Sequence, residues 1–126
     1  MVRDTARRLA EYLSRRLGDG LRTVVIADDD GYELEYLRDD LSEQYTKGTL
    51  TEVVSDLRVE TPFSTTGIDT HPIGERRAVV HYYENAFVLQ FPFSGAERII
   101  ISIGTDAGTD LLQFIEDCRR IVDRSG

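Results

Sequence analysis

The chain has 126 residues, a formal net charge of −8 and 40% hydrophobic residues. This length predicts a single domain over residues 1–126, because compact domains usually run to roughly 100–200 residues. No stretch reaches the ~18 consecutive apolar residues that a membrane-spanning helix needs, and arginines interrupt the apolar residues at the N-terminus, unlike those of a signal peptide. We therefore expect a cytoplasmic protein with no membrane partner.

The composition of the charged residues is unusual. Acids number 23 against 15 bases, and Lys47 is the single lysine among those bases. Many carboxylates with almost no lysine are typical of adaptation to multimolar salt, because the Debye length falls to about 3 Å at 1 M and carboxylate repulsion then costs little. A GC-rich genome also favours arginine, but it does not by itself produce the excess of acids. The composition favours a halophilic protein whose acidity reflects its solvent.

The first 18 residues carry the opposite charge, with five arginines against two acids, whereas residues 19–60 carry twelve acids against four bases. A basic helix on an acidic body could dock an anionic partner. Alternatively, arginines and acids four residues apart pair with one another on a solvated helix face. We favour the second interpretation, for which the pairs are Asp4–Arg8, Arg7–Glu11 and Glu11–Arg15.

The N-terminal half begins with a helix and a hairpin. Apolar residues at helical spacing predict a helix over residues 3–18. Apolar, β-branched residues at Leu21–Ala27 and alternating residues at Tyr32–Leu37 predict two strands. Between them, Asp30 and Gly31 form a strong two-residue turn signal.

A second helix follows a short helical turn over residues 38–46 that is broken at Gly48. Thr49 and Glu52 have the spacing of a capping box, in which each side chain satisfies a backbone N–H at the helix start. The apolar face of this helix consists of Leu50, Val53, Val54 and Leu57. Residues 60–75 then form an irregular segment, longer than most loops, and such segments are often functional.

The C-terminal half predicts three strands and a helix. The strands span Arg77–Tyr83, Phe87–Phe91 and Arg98–Ile103, and their residues alternate with the period of two that strands require. The final helix spans Ala107–Asp123. The elements therefore follow the order α-β-β-α-β-β-β-α, and we predict an α+β fold in which a five-stranded antiparallel sheet is flanked by helices.

This element order resembles the roadblock/dynein-light-chain fold, a relative of profilin and longin domains. The resemblance implies a homodimer that pairs through the middle helix and a neighbouring strand, and that serves as a platform for a regulatory protein such as a small GTPase. Carried over to this chain, the interface would consist of Leu50, Val53, Val54, Leu57, Val79 and His81. We therefore expect a non-catalytic interaction module.

A second resemblance rests on particular residues. The block YLRDDL at residues 36–41 and the block VVSDLRVE at residues 53–60 are similar to those of a family of small acidic haloarchaeal proteins. The turn at residues 84–86 and the Phe91-Pro92 pair are also similar to that family. This resemblance implies a haloarchaeal habitat and a shared fold, and it brings no catalytic residues.

A small-ligand sensor is the alternative function. A pocket between the sheet and the 60–75 segment would be lined by Tyr32, Tyr36, Phe63, His81 and Tyr83. An enzyme would instead need His81 and a carboxylate within hydrogen-bond reach of one another. The chain contains no nucleophile elbow and no phosphate-binding glycine loop, so we expect no catalytic residue.

Two acidic motifs are candidates for binding a metal ion. The run from Asp28 to Gly31 is not an EF-hand loop, because the matching ligand positions hold Ile26 and Leu37. Asp39 and Asp40 are adjacent and would point about 100° apart on a helix, so they cannot chelate one ion together. We interpret both motifs as structural.

The remaining chemistry-bearing residues are few. His71 and His81 lack zinc-ligand spacing, and Cys118 lies on an apolar helical face where a thiol acts as a small hydrophobe. The stretch Gly104–Gly108 could bind an anion at a helix start, although a plain cap is simpler. We expect no cofactor and no metal, and nucleic acid is an unfavoured partner because no basic patch exists beyond the first helix.

Overall fold

The computed structural model describes residues 1–60, 72–74, 76–108 and 110–125. The helices and strands are α1 (Val2–Leu17), β1 (Leu21–Ala27), β2 (Tyr32–Leu37), α2 (Lys47–Glu60), β3 (Val79–Tyr82), β4 (Ala86–Pro92), β5 (Arg98–Gly104) and α3 (Leu111–Ser125). Short 3-10 segments lie at Gly18–Gly20, Asp39–Leu41 and Thr105–Gly108. No helix in these ranges is both long enough and apolar enough to cross a membrane.

The five strands form one antiparallel sheet in the order β2-β1-β5-β4-β3. Tight hairpins join β1 to β2, β3 to β4 and β4 to β5, whereas the β1–β5 pair joins distant parts of the chain. The predicted α+β class and element order are confirmed. The pairing also leaves β2 and β3 as the two outer strands of the described sheet.

The larger part of the core lies between the sheet and the helices α1 and α3. Alternating residues of β1, β4 and β5 point to this face, which is why a period of two in the sequence becomes one apolar surface. The fully buried large side chains here are Leu9, Leu13, Leu21, Leu89, Phe91, Ile99, Ile101, Ile103 and Phe114. Cys118 is also buried in this layer, as predicted.

A smaller cluster lies on the other face of the sheet, under α2. Val54 and Leu57 of this helix pack against the sheet residues that alternate with those of the larger core. Those sheet residues are Val25, Ala27, Val88 and Ile100. The protein therefore has three layers, with two helices on one face of the sheet and one helix on the other.

The start of α2 corrects the sequence prediction. The helix begins at Lys47, not at Thr49, and Gly48 lies inside its first turn. The hydroxyl of Thr46 accepts a hydrogen bond from the backbone N–H of Thr49 at 3.3 Å. Thr46 therefore takes the capping role that we predicted for Thr49, because Thr46 is the residue that directly precedes a helix beginning at Lys47.

The C-terminal helix also begins later than predicted. Residues 105–108 form a 3-10 turn, and α3 starts at Leu111 rather than at Ala107. Ala107 instead packs against Gly20, where a Cβ atom would lie only 2.9 Å from the Cβ of Ala107. The third predicted strand is shorter than expected and spans Val79–Tyr82. Most of the predicted irregular segment, residues 61–71 and 75, lies outside the described residues.

Candidate functional site

The outer strand β3 is the most exposed part of the sheet. Its sequence, Val-Val-His-Tyr, contains no charge, and its pairing with β4 is regular. Val80 is 39% exposed and Tyr82 is 74% exposed. An uncharged outer strand without a bulge is the kind of sheet edge that pairs with another chain.

The backbone groups of β3 can be assigned to one side or the other. The N–H of Tyr83 donates to the C=O of Ala86 at 2.8 Å, so these two residues form a hydrogen-bonded pair beside the turn. In an antiparallel ladder such pairs alternate with pairs that do not exchange hydrogen bonds. Tyr82 and Val80 are therefore the residues whose backbone N–H and C=O groups point away from β4, toward the open edge.

The side chains of Val80 and Tyr82 lie on the sheet face that α1 and α3 cover. The ring of Tyr82 stacks on that of Phe87, with centroids 4.8 Å apart and an angle of 20° between the rings. Phe87 packs in turn against the main core. The exposed apolar surface at this edge is therefore anchored to the core rather than carried by a loop.

Polar side chains occupy the opposite face of the same strands. His81 Nε2 lies 2.8 Å from the side-chain nitrogen of Gln90, in a geometry that lets the amide N–H donate to the ring nitrogen. Farther into the sheet, the hydroxyls of Thr23 and Ser102 lie 2.6 Å apart. The ring of Tyr83 lies parallel to that of His81, with centroids 6.3 Å apart.

His81, Gln90, Ser102 and Thr23 form a polar row on this face, and Gln90 has the least complete hydrogen bonding of the four. It is 1% exposed, and its Oε1 atom is buried without a hydrogen-bond partner. Leaving a buried carbonyl unpaired costs about 1–3 kcal/mol. Gln90, Ser102 and Thr23 were not identified from the sequence, although each interrupts an apolar strand with a polar residue on the same face.

The interface residues predicted from the resemblance differ in how accessible they are in the structure. Leu50, Val54 and Leu57 are buried within the chain itself. Val53 is 38% exposed and is the one of the four α2 residues that a partner can reach. On β3, Val79 and His81 are half-buried and lie on the sheet face that bears α2.

The predicted pocket residues are not brought together. Tyr32 packs under α2, whereas Tyr36 packs against the main core on the opposite face of the sheet. His81 and Tyr83 lie at the other edge, with three strands between β3 and β2. Phe63 lies outside the described residues.

Tyr32 does line a groove between β2 and α2. This groove has a volume of about 610 Å³ and is open to solvent. Its apolar lining comes from Leu34, Tyr45 and Leu50, and its charged lining from Arg58 and Asp30. It is large enough for a small organic ligand, since such pockets usually measure about 300–1,000 Å³.

The acidic run at the β1–β2 turn is structural. Oδ1 of Asp28 accepts backbone hydrogen bonds from Asp30 at 2.8 Å and from Gly31 at 2.9 Å. These two donors hold the pKa of Asp28 below its usual range. Arg58 donates from α2 to the C=O groups of Asp28 and Gly31 at 2.8 and 2.9 Å, which ties the turn to the helix.

The Asp39–Asp40 pair is also explained by structure. The guanidinium of Arg38 donates two hydrogen bonds to the carboxylate of Asp40, of 2.5 and 3.0 Å. The same contact lowers the pKa of Asp40 and raises that of Arg38. Among the described residues, no group of three or more His, Cys, Asp or Glu side chains is arranged to hold a metal ion.

The basic first helix is tied to the rest of the molecule by ion pairs. Arg3 pairs with Glu33 on β2, and Arg16 pairs with Asp117 on α3. Arg7 pairs with Asp4 three residues away, rather than with Glu11. These contacts use three of its arginines within the chain.

The thiol of Cys118 has low reactivity. It is fully buried, and burial raises the pKa of its thiol to about 12. The thiolate that would react with oxidants or electrophiles is therefore scarce at neutral pH.

Comparison with known proteins identifies the family. The sequence model of the family described as Domain of unknown function (DUF7522) matches residues 7–123, nearly the whole chain. The protein belongs to this family. No curated protein matches the sequence significantly.

The DUF7522 match includes every strand and the site just described. It runs from α1 through the β3 edge to the last turns of α3. The exposed edge, the polar row behind it and the groove beside α2 therefore all belong to the family domain.

Proposed function

We propose that this DUF7522 protein is a non-catalytic interaction module that forms a homodimer through β3. The observation that carries the proposal is the uncharged edge of the described sheet, at which Val80 and Tyr82 turn their backbone groups outward. A second copy of the same strand would satisfy those groups and cover the exposed side chains, because antiparallel pairing across a two-fold axis is self-complementary.

The two-fold axis restricts how the strands pair. An axis perpendicular to the sheet keeps each face on its own side, so opposed residues must lie on the same face. Pairing Val80 with Tyr82 of the partner subunit meets this condition and joins outward-pointing backbone groups twice, once on each side of the axis. His81 would then face His81 of the partner subunit at the axis, as a pair without backbone hydrogen bonds.

This register would cover the exposed apolar side chains of β3. Val80 and Tyr82 are the two large hydrophobic residues of β3 that are exposed on the α1–α3 face, and each would cover the other across the axis. Cross-strand pairs of an aromatic and a β-branched residue stabilise sheets by about 0.2–1 kcal/mol. Val53 supplies the exposed apolar residue of α2 on the other face.

The resemblance to roadblock domains supports the same assembly. Such domains pair through the middle helix and a neighbouring strand, and the described sheet places β3 at an edge where this pairing is possible. The dimer would form a continuous ten-stranded sheet and serve as a platform for a regulatory protein such as a small GTPase.

Light scattering coupled to size-exclusion chromatography in molar KCl tests the dimer directly. We expect a particle of twice the 14.3 kDa chain mass. A single species of 14.3 kDa at micromolar concentration would contradict the proposal.

Cysteine substitution tests the register. Because the native thiol of Cys118 is buried, single cysteines can be introduced without replacing it. His81→Cys should form a disulfide-linked dimer under mild oxidation, since opposed residues lie about 4.5 Å apart between Cα atoms in a pair without hydrogen bonds. Val80→Cys is the matched control, because cross-linking at that position alone indicates a register shifted by two residues.

We further propose that the protein is haloarchaeal and adapted to high salt. The support is the excess of carboxylates over a single lysine and the resemblance of the YLRDDL and VVSDLRVE blocks. The urea midpoint of unfolding should rise between 0.1 and about 2 M KCl, as screening removes carboxylate repulsion. A higher midpoint at low salt would argue against this proposal.

Ligand sensing is the second candidate function, and the groove at Tyr32 favours it. A thermal-shift screen of metabolites would show stabilisation that is lost in Thr51→Arg, which places a long side chain at an exposed position lining the groove. The matched control is Val59→Arg, on an exposed position of the same helix. If hits stabilise both variants equally, the groove is not their binding site.

A further inference from the structure

A second, smaller pocket lies on the α1–α3 face, where the end of β4 meets the last turns of α3. It measures about 150 Å³. Arg119 and Asp123 of α3 line it together with Arg76 and Arg77, which precede β3, and Phe91, Val122 and Pro92 form its apolar part. Three arginines from two separate chain segments therefore line one pocket in a chain whose net charge is −8.

The three arginines differ in how they are held. The side chain of Arg119 is 15% exposed, donates to Asp123 at 2.9 Å and lies 3.6 Å from a carboxylate oxygen of Glu116. Within the described part of the chain, neither Arg76 nor Arg77 forms an ion pair. One arginine is thus fixed in position, and the other two have charges that no described carboxylate neutralises.

The described charges at the pocket leave a small positive excess. Three arginines line it with Asp123, and Glu116 lies beside Arg119, so three positive and two negative charges sum to +1. Burial lowers the pKa of nearby Arg98, Asp29 opposes this shift, and the charge of Arg76 adds to it. The charge of Arg76 therefore acts on the neighbouring guanidinium of Arg98, and an anion bound to Arg76 would offset it.

The pocket is suited to a small ligand. Its volume of about 150 Å³ leaves room for an anion of the size of a tetrahedral oxyanion. Pockets for small organic ligands are at least twice as large. Guanidinium groups offer forked N–H donors that fit the oxygens of a phosphate group.

We propose that Arg76, Arg77 and Arg119 form a binding site for a phosphate group, either free inorganic phosphate or the terminal phosphate of a phosphomonoester. The site lies apart from the β2–α2 groove, and its ligand does not require the dimer. It would give an otherwise acidic protein one place at which a phosphorylated molecule is recognised.

Titration with inorganic phosphate at constant KCl concentration and pH, followed by calorimetry, tests the proposal. We expect saturable binding that weakens about tenfold in Arg77→Gln and in Arg76→Gln, because a hydrogen bond to a charged group contributes about that factor. Both positions are exposed, so the variants should fold. Arg15→Gln, an exposed arginine of α1 away from the pocket, is the matched control and should bind within twofold of the unaltered protein.

A parallel titration with phosphoserine separates the two sources of phosphate. Binding of both ligands supports a site open to phosphomonoesters, and binding of inorganic phosphate alone supports a site for the free ion. The proposal is overturned if phosphate does not saturate, if Arg77→Gln binds as the unaltered protein does, or if Arg15→Gln loses as much affinity.

Discussion

The two outer strands of the sheet differ in how they meet solvent. β2 carries the exposed acid Glu33 and the half-buried acid Glu35, and Glu35 is an extra residue that forms a bulge opposite β1. β3 has no charged residue and no bulge, and it exposes Val80 and Tyr82. Charges and bulges are devices that keep a sheet edge from pairing. The difference indicates that pairing is prevented at β2 and permitted at β3.

The two edges also differ in what supports them. β2 is tied to α1 through the Arg3–Glu33 ion pair, and its turn is held by Arg58 of α2. Within the described residues, β3 is held by its ladder to β4 and by contacts such as the His81–Gln90 hydrogen bond. A strand supported mainly from one side gains most from a partner on the other. The variants described below test this difference between β2 and β3.

The largest effect is expected from proline at an outward-facing backbone position. Val80→Pro keeps the ladder to β4, because the N–H that it removes points to the open edge. Each subunit loses one backbone hydrogen bond to its partner, so the dimer loses two. We therefore expect the association free energy to weaken by about 3 kcal/mol, which corresponds to a roughly hundredfold weaker dimer. Light scattering over a dilution series measures this change.

The matched variant on the other edge is Leu34→Pro. Counting outward from the Asp28–Gly31 hydrogen bond, Leu34 also turns its N–H away from the sheet. We expect its dimer affinity to remain unchanged. A dimer weakened by Leu34→Pro and not by Val80→Pro would reverse the assignment of the two edges.

Next in size is the loss of the arginine that holds the β1–β2 turn. Arg58→Met removes two charge-assisted hydrogen bonds to backbone carbonyls, and we expect the free energy of unfolding to fall by about 1.5–3 kcal/mol. Urea unfolding at fixed KCl concentration measures it. Arg15→Met, on the exposed face of α1, should change stability by less than about 0.5 kcal/mol.

Acid should weaken the same turn. The pKa of Asp28 is lowered in the folded protein from its ordinary value of 3.8, so its carboxylate stabilises the fold above about pH 4, and this stability is lost as the pH falls through the lowered pKa. Asp28→Asn keeps the acceptor oxygen but not the charge. Its unfolding free energy should fall less steeply between pH 4 and pH 2; equal slopes for both proteins would contradict the assignment.

The smallest effect is expected from Arg3→Ala. The Arg3–Glu33 pair lies on the surface, where such pairs contribute little to stability. We expect no measurable change in the urea midpoint or in the dimer affinity. A clear loss of either would mean that α1 protects the β2 edge more strongly than its exposure indicates.

The candidate site could be predicted from the sequence only in part. The strand containing His81 and the apolar face of α2 were evident from their periods, but the sequence could not show that Leu50, Val54 and Leu57 are occupied within the chain. Periodicity tells which residues share a face, and it does not tell what covers that face. The pocket at Arg76, Arg77 and Arg119 was missed because Arg119 lies more than 40 positions along the chain from the other two arginines.

The order of helices and strands, the β1–β2 turn at Asp30-Gly31 and the burial of Cys118 could all be inferred from the sequence. These features depend on local backbone preferences and on the alternation of apolar residues, which a single chain segment carries. The pairing of β1 with β5, the position of β2 and β3 at the edges and the opposite orientations of Tyr32 and Tyr36 became known only from the folded chain. Such choices depend on pairing between distant segments, whose free energy arises only when the whole sheet and its covering helices are assembled.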